Sequence, residues 1–343
     1  MSAPLTVAEY ERLARERLDD NAWEYFRGGA GDETTLRENL DAFTRWKLRP
    51  RVLCDVGSVE TRTTVLGTDV AAPVLIAPVA LQKLAHPDGE AATARAAAAS
   101  GTIMCLSTSA TLRPAAVAEA APGASRWFQV YVFNDRGVTQ ALIDEACAHD
   151  YSALMLTVDT PFLGRREGAV RIGFHIPDEF EVAGDIFSDL SPNVTWRDLE
   201  WLAGHGLPVV LKGVLTAEDA RIAVEHGAAG LVVSNHGGRQ LDGVPASIDA
   251  LPEVVEAVDG RIEVLLDSGV RRGVDVLRSL ALGARAVLVG RPIVYALAVA
   301  GEEGVAHVLE LFRDELALGL ALLGCTSPAD VSRAHVTWQA WNG

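Results

Sequence analysis

Apolar residues along this chain fall into short unbroken runs of strand length, each closed by polar residues or glycine. Eight recur: Pro73–Pro78, Thr102–Ser107, Trp127–Tyr131, Ala153–Val158, Pro208–Lys212, Gly230–Ser234, Glu263–Asp267 and Ala286–Gly290. None shows the apolar/polar alternation of a half-exposed sheet. Strands covered on both faces of a parallel sheet read this way. Helical patterns lie between them, at Asp88–Ser100, Arg113–Ala121, Arg136–His149, Thr216–His226 and Val270–Leu282. The fourth of these opens on Thr216, with Glu218 and Asp219 in its first turn, and stops at Gly227, which is a capped start and a glycine stop.

Eight strand–helix alternations predict an α/β fold, a (β/α)8 TIM barrel. A doubly wound sheet would open with a GxGxxG turn after its first strand; here that position reads Pro78-Val79-Ala80-Leu81. No P-loop is present. A barrel of this kind takes about 250 residues, so 343 residues fit one domain with a barrel over 71–343 and an extension over 1–70. The extension reads as helical at Val7–Leu18 and Trp23–Phe26, then turns at Gly28-Gly29-Ala30-Gly31. A second excursion, 161–200, follows the fourth strand; a loop of that length reads either as a lid over the barrel mouth or as a surface loop.

Composition narrows the partners. With 49% hydrophobic and 22% charged residues the chain is ordinary globular protein. The net charge of −16 repels nucleic acid and anionic lipid, so an anionic substrate would need a local cluster of arginines. The four cysteines, Cys54, Cys105, Cys147 and Cys325, form no CxxC pair, which predicts reduced thiols, no disulfide frame and no metal site. Met1–Glu11 has no signal-peptide pattern and no apolar run approaches 18 residues; together these predict a cytoplasmic, soluble protein.

Barrel chemistry sits at the C-terminal ends of the strands, and those ends are polar here. Strand three ends at Gln129 and Tyr131, strand four at Thr157 and Asp159, strand five at Lys212. Strand six ends Ser234-Asn235-His236-Gly237-Gly238-Arg239. His236 suits a general base, since imidazole titrates near neutrality. Arg239, three residues on, suits a bidentate carboxylate clamp, with Arg165 or Arg166 as a second contact. Asp159 can orient His236 and stabilise its charge. Asp267-Ser268-Gly269-Val270-Arg271 and Gly290-Arg291 follow strands seven and eight, where barrels hold phosphate. Lys212 ends a buried strand; it either faces an anion or forms a Schiff base.

Together these residues resemble the FMN-dependent 2-hydroxy-acid oxidase and dehydrogenase family, which includes glycolate oxidase, lactate oxidase and mandelate dehydrogenase. The resemblance spans about residues 5–335 and is carried most specifically by SNHGGRQLD (Ser234–Asp242). Ile76–Glu90, Trp127–Val132, Leu156–Glu167, Val210–Val214, Leu265–Gly273 and Val287–Pro292 support it. It implies that His236 takes a substrate proton and Asp159 stabilises the imidazolium. It implies that Arg239, Arg166 and Tyr25 hold a carboxylate, that Tyr131 contacts the hydroxyl, and that Lys212 supports negative charge on reduced FMN. Pro78, Val79, Ala80, Ser107, Gln129, Thr157 and Ser234 would surround the isoalloxazine; Asp267, Ser268, Gly269, Arg271, Gly290 and Arg291 would hold the ribityl phosphate.

The implied reaction turns a small L-2-hydroxy acid into its 2-oxo acid, with O2 as acceptor and peroxide as product, in a homo-tetramer or larger ring. Ala80 matches the oxidase side of the family. The alternatives are a dehydrogenase passing electrons to a quinone or protein, a larger aryl or peptide-derived substrate, and an FMN-dependent isopentenyl diphosphate isomerase. Three departures bear on substrate. Ser109 stands where plant glycolate oxidases carry a bulky aromatic, implying a roomier pocket. Ser268 replaces a usual Gly. The long loop is shorter than in many relatives, and Arg171-Ile172-Gly173-Phe174 lacks an Asn usual there. It also lacks the apolar insertion of membrane-bound mandelate dehydrogenases.

Overall fold

The computed structural model describes residues 3–180 and 189–339. Its centre is a closed eight-stranded parallel barrel, built from β4 (Val74–Ile76), β5 (Met104–Leu106), β6 (Arg126–Val130), β7 (Ala153–Thr157), β8 (Val209–Val214), β9 (Gly230–Val233), β10 (Glu263–Leu266) and β11 (Ala286–Val289). All eight predicted runs are these strands, with ends that differ by at most two residues; β6 starts one residue earlier and β8 runs two residues further than expected. Each is buried almost throughout because helices cover the outside and side chains fill the inside. Leu75, Cys105, Trp127, Met155, Val210, Val232, Leu265 and Leu288 form the interior plug, while the neighbouring positions join the larger core beneath the helices.

Five predicted helices appear as α4 (Gly89–Ala99), α5 (Pro114–Ala120), α6 (Arg136–Ala148), α9 (Ala217–Glu225) and α11 (Gly273–Ala281). The Thr216 hydroxyl caps α9 by accepting from Asp219 N–H at 3.2 Å. The start of α11 moves from the expected Val270 to Gly273, because the N–H groups of Arg271 and Arg272 both donate to the Asp275 carboxylate, which fixes the first turn there. Two helices complete the ring without having been expected: α10 (Ser247–Val258), which carries Pro252 inside it, and α12 (Arg291–Leu323). The latter breaks at Ala300 and Gly301, where the backbone leaves helical angles. Among the described residues it alone is long and apolar enough to cross a membrane, and 67% of that window is buried against the barrel.

The excursion after β7 holds two helices, α7 (Glu167–Ile172) and α8 (Trp196–Ala203); its stretch 181–188 lies outside the described residues. It docks rather than dangles. Phe174 stacks on Tyr25 at 4.8 Å, and Asn21 and His175 exchange two hydrogen bonds of 3.0 and 3.2 Å.

The N-terminal extension forms α1 (Val7–Arg17), α2 (Asp20–Arg27), α3 (Thr34–Asp41), β1 (Trp46–Leu48) and a hairpin of β2 (Thr63–Val65) with β3 (Thr68–Val70). Val65 and Val70 join the interior plug, so the hairpin closes the N-terminal end of the barrel. Trp46–Leu48 pairs with β12 (Val336–Trp338) near the far end of the chain. Helix α1 packs on α12, where Tyr10 bonds His307, while α2 and α3 lie at the opposite, open end, with Tyr25 and Asn39 bonded to the segment after β9.

Candidate active site

Side chains alternate along a strand, so the plug predicts which residues form the layer above it. Two positions beyond Leu75, Cys105, Trp127, Met155, Val210, Val232, Leu265 and Leu288 stand Ala77, Ser107, Gln129, Thr157, Lys212, Ser234, Asp267 and Gly290. This layer is polar and hydrogen-bonded. Ser107 Oγ donates to Gln129 Oε1 at 3.2 Å, and Gln129 Nε2 donates to Thr157 Oγ1 at 3.0 Å. Lys212 Nζ pairs with Asp267 Oδ2 at 3.2 Å and donates to Ser234 Oγ at 3.1 Å. Burial pushes the Lys212 pKa down, but Asp267 and Asp159 outweigh it and raise it overall. The ion pair with Asp267 favours a charged Lys212 that faces an anion over a Schiff-base lysine.

Two positions further on stand Val79, Ser109, Tyr131, Asp159, His236 and Gly269, the upper layer of the mouth. His236 Nδ1 lies 3.0 Å from Asp159 Oδ1 and 3.2 Å from Oδ2. That contact places the proton on Nδ1 and leaves the Nε2 lone pair facing the cavity, 3.5 Å from the Tyr131 hydroxyl. Burial, with the charges of Lys212 and Arg166, holds the His236 pKa below its ordinary value although Asp159 opposes them. Asp159 is partly buried too, yet His236 and Lys212 keep its pKa low. The resting pair is a neutral imidazole backed by a carboxylate. Tyr131 remains a phenol, its pKa raised by burial and by Asp159.

His236 adopts left-handed backbone angles, with φ +58°, which are unfavourable for a residue with a Cβ. Its N–H donates to Ser234 Oγ at 3.1 Å and the Gly238 N–H to Asn235 Oδ1 at 3.1 Å. Asn235 in turn pairs with Asn39 of α3. Ser268 uses its hydroxyl here, accepting from Gly237 N–H at 2.9 Å and donating to Asp267 Oδ1 at 2.7 Å. Gly213 (φ +115°) sits at the one register shift between β8 and β9. A Cβ there would lie 2.7 Å from the Asp159 Cβ, so only glycine lets the Asp159 segment approach.

The cavity above these layers measures about 1110 Å³ when the open solvent at its mouth is counted with it. Every expected site residue lines it except two: Asp159 stands behind His236, and Ser234 is fully buried, its hydroxyl taken by Lys212 and the His236 N–H. Five cations face it, Arg166, Lys212, Arg239, Arg271 and Arg291, in a chain of charge −16. Arg239 stands over the Tyr25 ring at 5.2 Å, and its Nη1 donates to Tyr25 O and Gly28 O at 2.7 and 2.8 Å. Burial and the neighbouring Arg166 and Arg291 push its pKa well down. Arg291, expected to hold the phosphate, lines the cavity. Its guanidinium also donates to Phe26 O, Gly237 O and Gly28 O at 2.9–3.0 Å, three of its five N–H groups.

Could these residues hold FMN? The Arg166 Nε and Ser109 Oγ are buried without hydrogen-bond partners among the described residues, which is costly unless a ligand supplies them. One side of the cavity combines the N-terminus of α12 with Arg271 and the Ser268–Val270 turn, a phosphate cradle. The floor offers Gln129, Ser107 and Lys212 to a polar ring edge. The residues fit.

Sequence reading assigned no role to Asn39, Gly213 or the apolar wall of Phe26, Leu163 and Leu190. Asn39 lies in a helix that periodicity did not reveal, so nothing local pointed to it.

Known proteins agree with this geometry. A family model described as FMN-dependent dehydrogenase matches residues 14–338. The chain is 49% identical to glycolate oxidase 3 of Arabidopsis thaliana, over 96% of this chain and 95% of that one. It is equally identical to an L-lactate oxidase of Nostoc sp., over 98% and 99%. A crystal structure of mandelate oxidase superposes with a TM-score of 0.93 at 40% identity, covering 98% of this chain and 99% of that one. With the match running from α1 to β12, and the histidine–aspartate pair set in an anion-seeking mouth, this chain belongs to the FMN-dependent dehydrogenase family.

Proposed function

We propose that this protein oxidises an L-2-hydroxy acid to the 2-oxo acid, with O2 as final acceptor and hydrogen peroxide as product. The observation that carries this is the His236 Nε2 lone pair, backed by Asp159 and opening onto a cavity lined by Arg166 and Arg239. A 2-hydroxy acid presents what this arrangement addresses: a carboxylate for the arginines and a proton for the imidazole.

Bound FMN supplies the two-electron redox chemistry; the chain supplies the rest. Arg166 and Arg239 draw the carboxylate in and fix its orientation. Neutral His236 receives the proton at Nε2, and Asp159 stabilises the resulting imidazolium through Nδ1. The Tyr131 phenol, 3.5 Å from Nε2, is placed to donate to the substrate oxygen. Lys212, held charged by Asp267, puts a fixed positive charge on the cavity floor. Phe174, stacked on Tyr25, holds that ring beside Arg239.

For the substrate, small Ser109 on the cavity wall supports a side chain larger than that of glycolate, and the aryl substrate of mandelate oxidase is a fitting model. An isomerase acting on a diphosphate would have no use for a paired imidazole base and carboxylate clamp. The four free cysteines support a reducing, cytoplasmic setting, and family resemblance supports a tetramer or larger ring; fractionation and light scattering test these.

The decisive experiment is anaerobic mixing of the yellow holoenzyme with 2-hydroxy acids of increasing side-chain size, followed at the flavin absorbance, then peroxide measurement in air. Bleaching by at least one acid, lost in His236→Gln with FMN retained, is expected. Undiminished bleaching in that variant removes His236 from the chemistry. Bleaching without peroxide in air transfers the reading to a dehydrogenase with another acceptor.

A further inference from the structure

Helix α4 carries a carboxylate that the chemistry above does not use. Glu90 is completely buried, and among the described residues none of its hydrogen bonds comes from a cation. Its Oε1 accepts from the Gln82 N–H at 3.1 Å and the Thr111 N–H at 2.9 Å. Its Oε2 accepts a short bond from the Thr111 hydroxyl. A buried carboxylate is costly, and the cost is offset only when its lone pairs are filled. Here they are filled from two different loops.

Gln82 belongs to the loop after β4, the first barrel strand, and Thr111 to the loop after β5. Val79 and Ala80 of the former and Ser107 and Ser109 of the latter line the cofactor cavity. The connection continues on both sides. Gln82 Nε2 donates to Val79 O at 3.3 Å, and its Oε1 accepts from Thr93 Oγ1 of α4 at 2.6 Å. The Leu81 N–H donates to Ser109 O at 3.3 Å. Leu81 itself is held at φ +58°, an unfavourable conformation for leucine that needs external support.

We propose that Glu90 is a positioning residue for the flavin: its carboxylate pins the first two barrel loops to one point, setting the spacing of Val79–Ala80 against Ser107–Ser109 where the ring system lies. An acceptor oxygen is required because the two backbone N–H groups, one from each loop, converge on Oε1. Glutamine can keep its amide oxygen on both N–H groups and turn its NH2 toward the Thr111 hydroxyl, which can accept; leucine, of similar size, leaves both N–H groups unpaired in a buried site. In Glu90→Leu the pinned loops separate, while the carboxylate clamp and His236, on other strands, stay in place.

The inference rests on FMN occupying the cavity, and the two can fail separately. The test compares wild type, Glu90→Leu, Glu90→Gln, Thr111→Val and Thr111→Ser by titrating each apoprotein with FMN, and by recording the visible circular dichroism, KM and kcat of each FMN-saturated form. The expected result for Glu90→Leu is FMN affinity weakened at least tenfold, an altered flavin dichroism and a reduced kcat; Glu90→Gln, which keeps an acceptor on both N–H groups, stays close to wild type. Thr111→Val, isosteric but without the hydroxyl, shifts FMN affinity the same way by a smaller factor; Thr111→Ser, which keeps the donor, restores wild-type values. Should Glu90→Leu not fold, the Thr111 pair decides. If variants that fold lose only thermal stability, with wild-type FMN affinity and dichroism, Glu90 is a packing residue and the proposal is wrong. If wild-type apoprotein does not take up FMN, the cofactor assignment fails first.

Discussion

Asn39 and Asn235 exchange amide hydrogen bonds in both directions, at 2.8 and 2.7 Å, although 196 residues separate them. Both are buried, so neither amide has water to fall back on. The pair joins α3 of the N-terminal extension to the residue that precedes the strained His236. Replacing Asn39 with Ala leaves the Asn235 amide partly unpaired in a dry site, and such a loss costs roughly 1–3 kcal/mol. We expect a urea unfolding midpoint lowered accordingly, with kcat reduced more than KM is raised, because the imidazole is less well held. A stability loss with unchanged kcat would confine the pair to holding the extension in place.

The depressed pKa of His236 gives the pH dependence a sign. The neutral imidazole is the active form, so kcat/KM rises with pH through a value below the ordinary 6.5 and is level above it. Asp159 is the group that raises the histidine pKa against burial. Asp159→Asn therefore moves the acid limb to still lower pH. It also removes the anion that stabilises the imidazolium, lowering kcat by about 10²–10⁴-fold. A pH series of kcat/KM on both proteins measures the shift; an acid limb moving upward in the variant contradicts the assignment. Stability follows the same sign: the His236 contribution is complete above the unfolded pKa near 6.5 and lost as pH falls toward the folded value.

Much of the barrel was legible because burial on both faces leaves a plain mark, a run such as Ala153–Val158 without alternation. The alternation then extends to the site: two residues past each plug residue is a floor residue, and two past that Tyr131, Asp159 or His236. Tertiary contacts left less trace. The pairing of Trp46–Leu48 with Val336–Trp338 joins short segments nearly 300 residues apart, and no local period encodes it. Helix α10 was masked by Pro252, which here lies within the helix. The Arg291 side chain also has a task that its sequence setting does not show: its bonds to the Phe26 and Gly28 carbonyls staple the extension to the barrel.

Lys212 and Asp267 form an ion pair with both side chains less than 10% exposed. Removing one partner of such a pair leaves a charge stranded, at about 3–5 kcal/mol. Asp267→Asn is expected to lower apoprotein stability by that order, visible in calorimetry, and to weaken flavin binding because Ser268 loses its acceptor. An apoprotein melting within one or two degrees of wild type would show that Lys212 finds another anion or releases its proton.

Arg239 is crowded by Arg166 and Arg291, and burial adds to their repulsion. An anion entering the mouth relieves that repulsion, so carboxylates stabilise the protein in proportion to ln(1 + [L]/Kd). Oxalate, which has a carboxylate but no α-hydrogen to lose, is expected to raise the melting temperature of the wild-type holoenzyme. In Arg239→Met the oxalate shift disappears and KM for the hydroxy acid rises about 100-fold, equivalent to roughly 2.7 kcal/mol. FMN affinity changes little, since the guanidinium addresses the substrate side of the cavity. The variant is also less stable by about 1–3 kcal/mol, because the carbonyls of Tyr25 and Gly28 lose a donor. Calorimetry with and without oxalate separates the two effects: the intrinsic loss appears in both scans, the ligand shift in only one. An oxalate shift of wild-type size in Arg239→Met would assign the carboxylate to Arg166 alone.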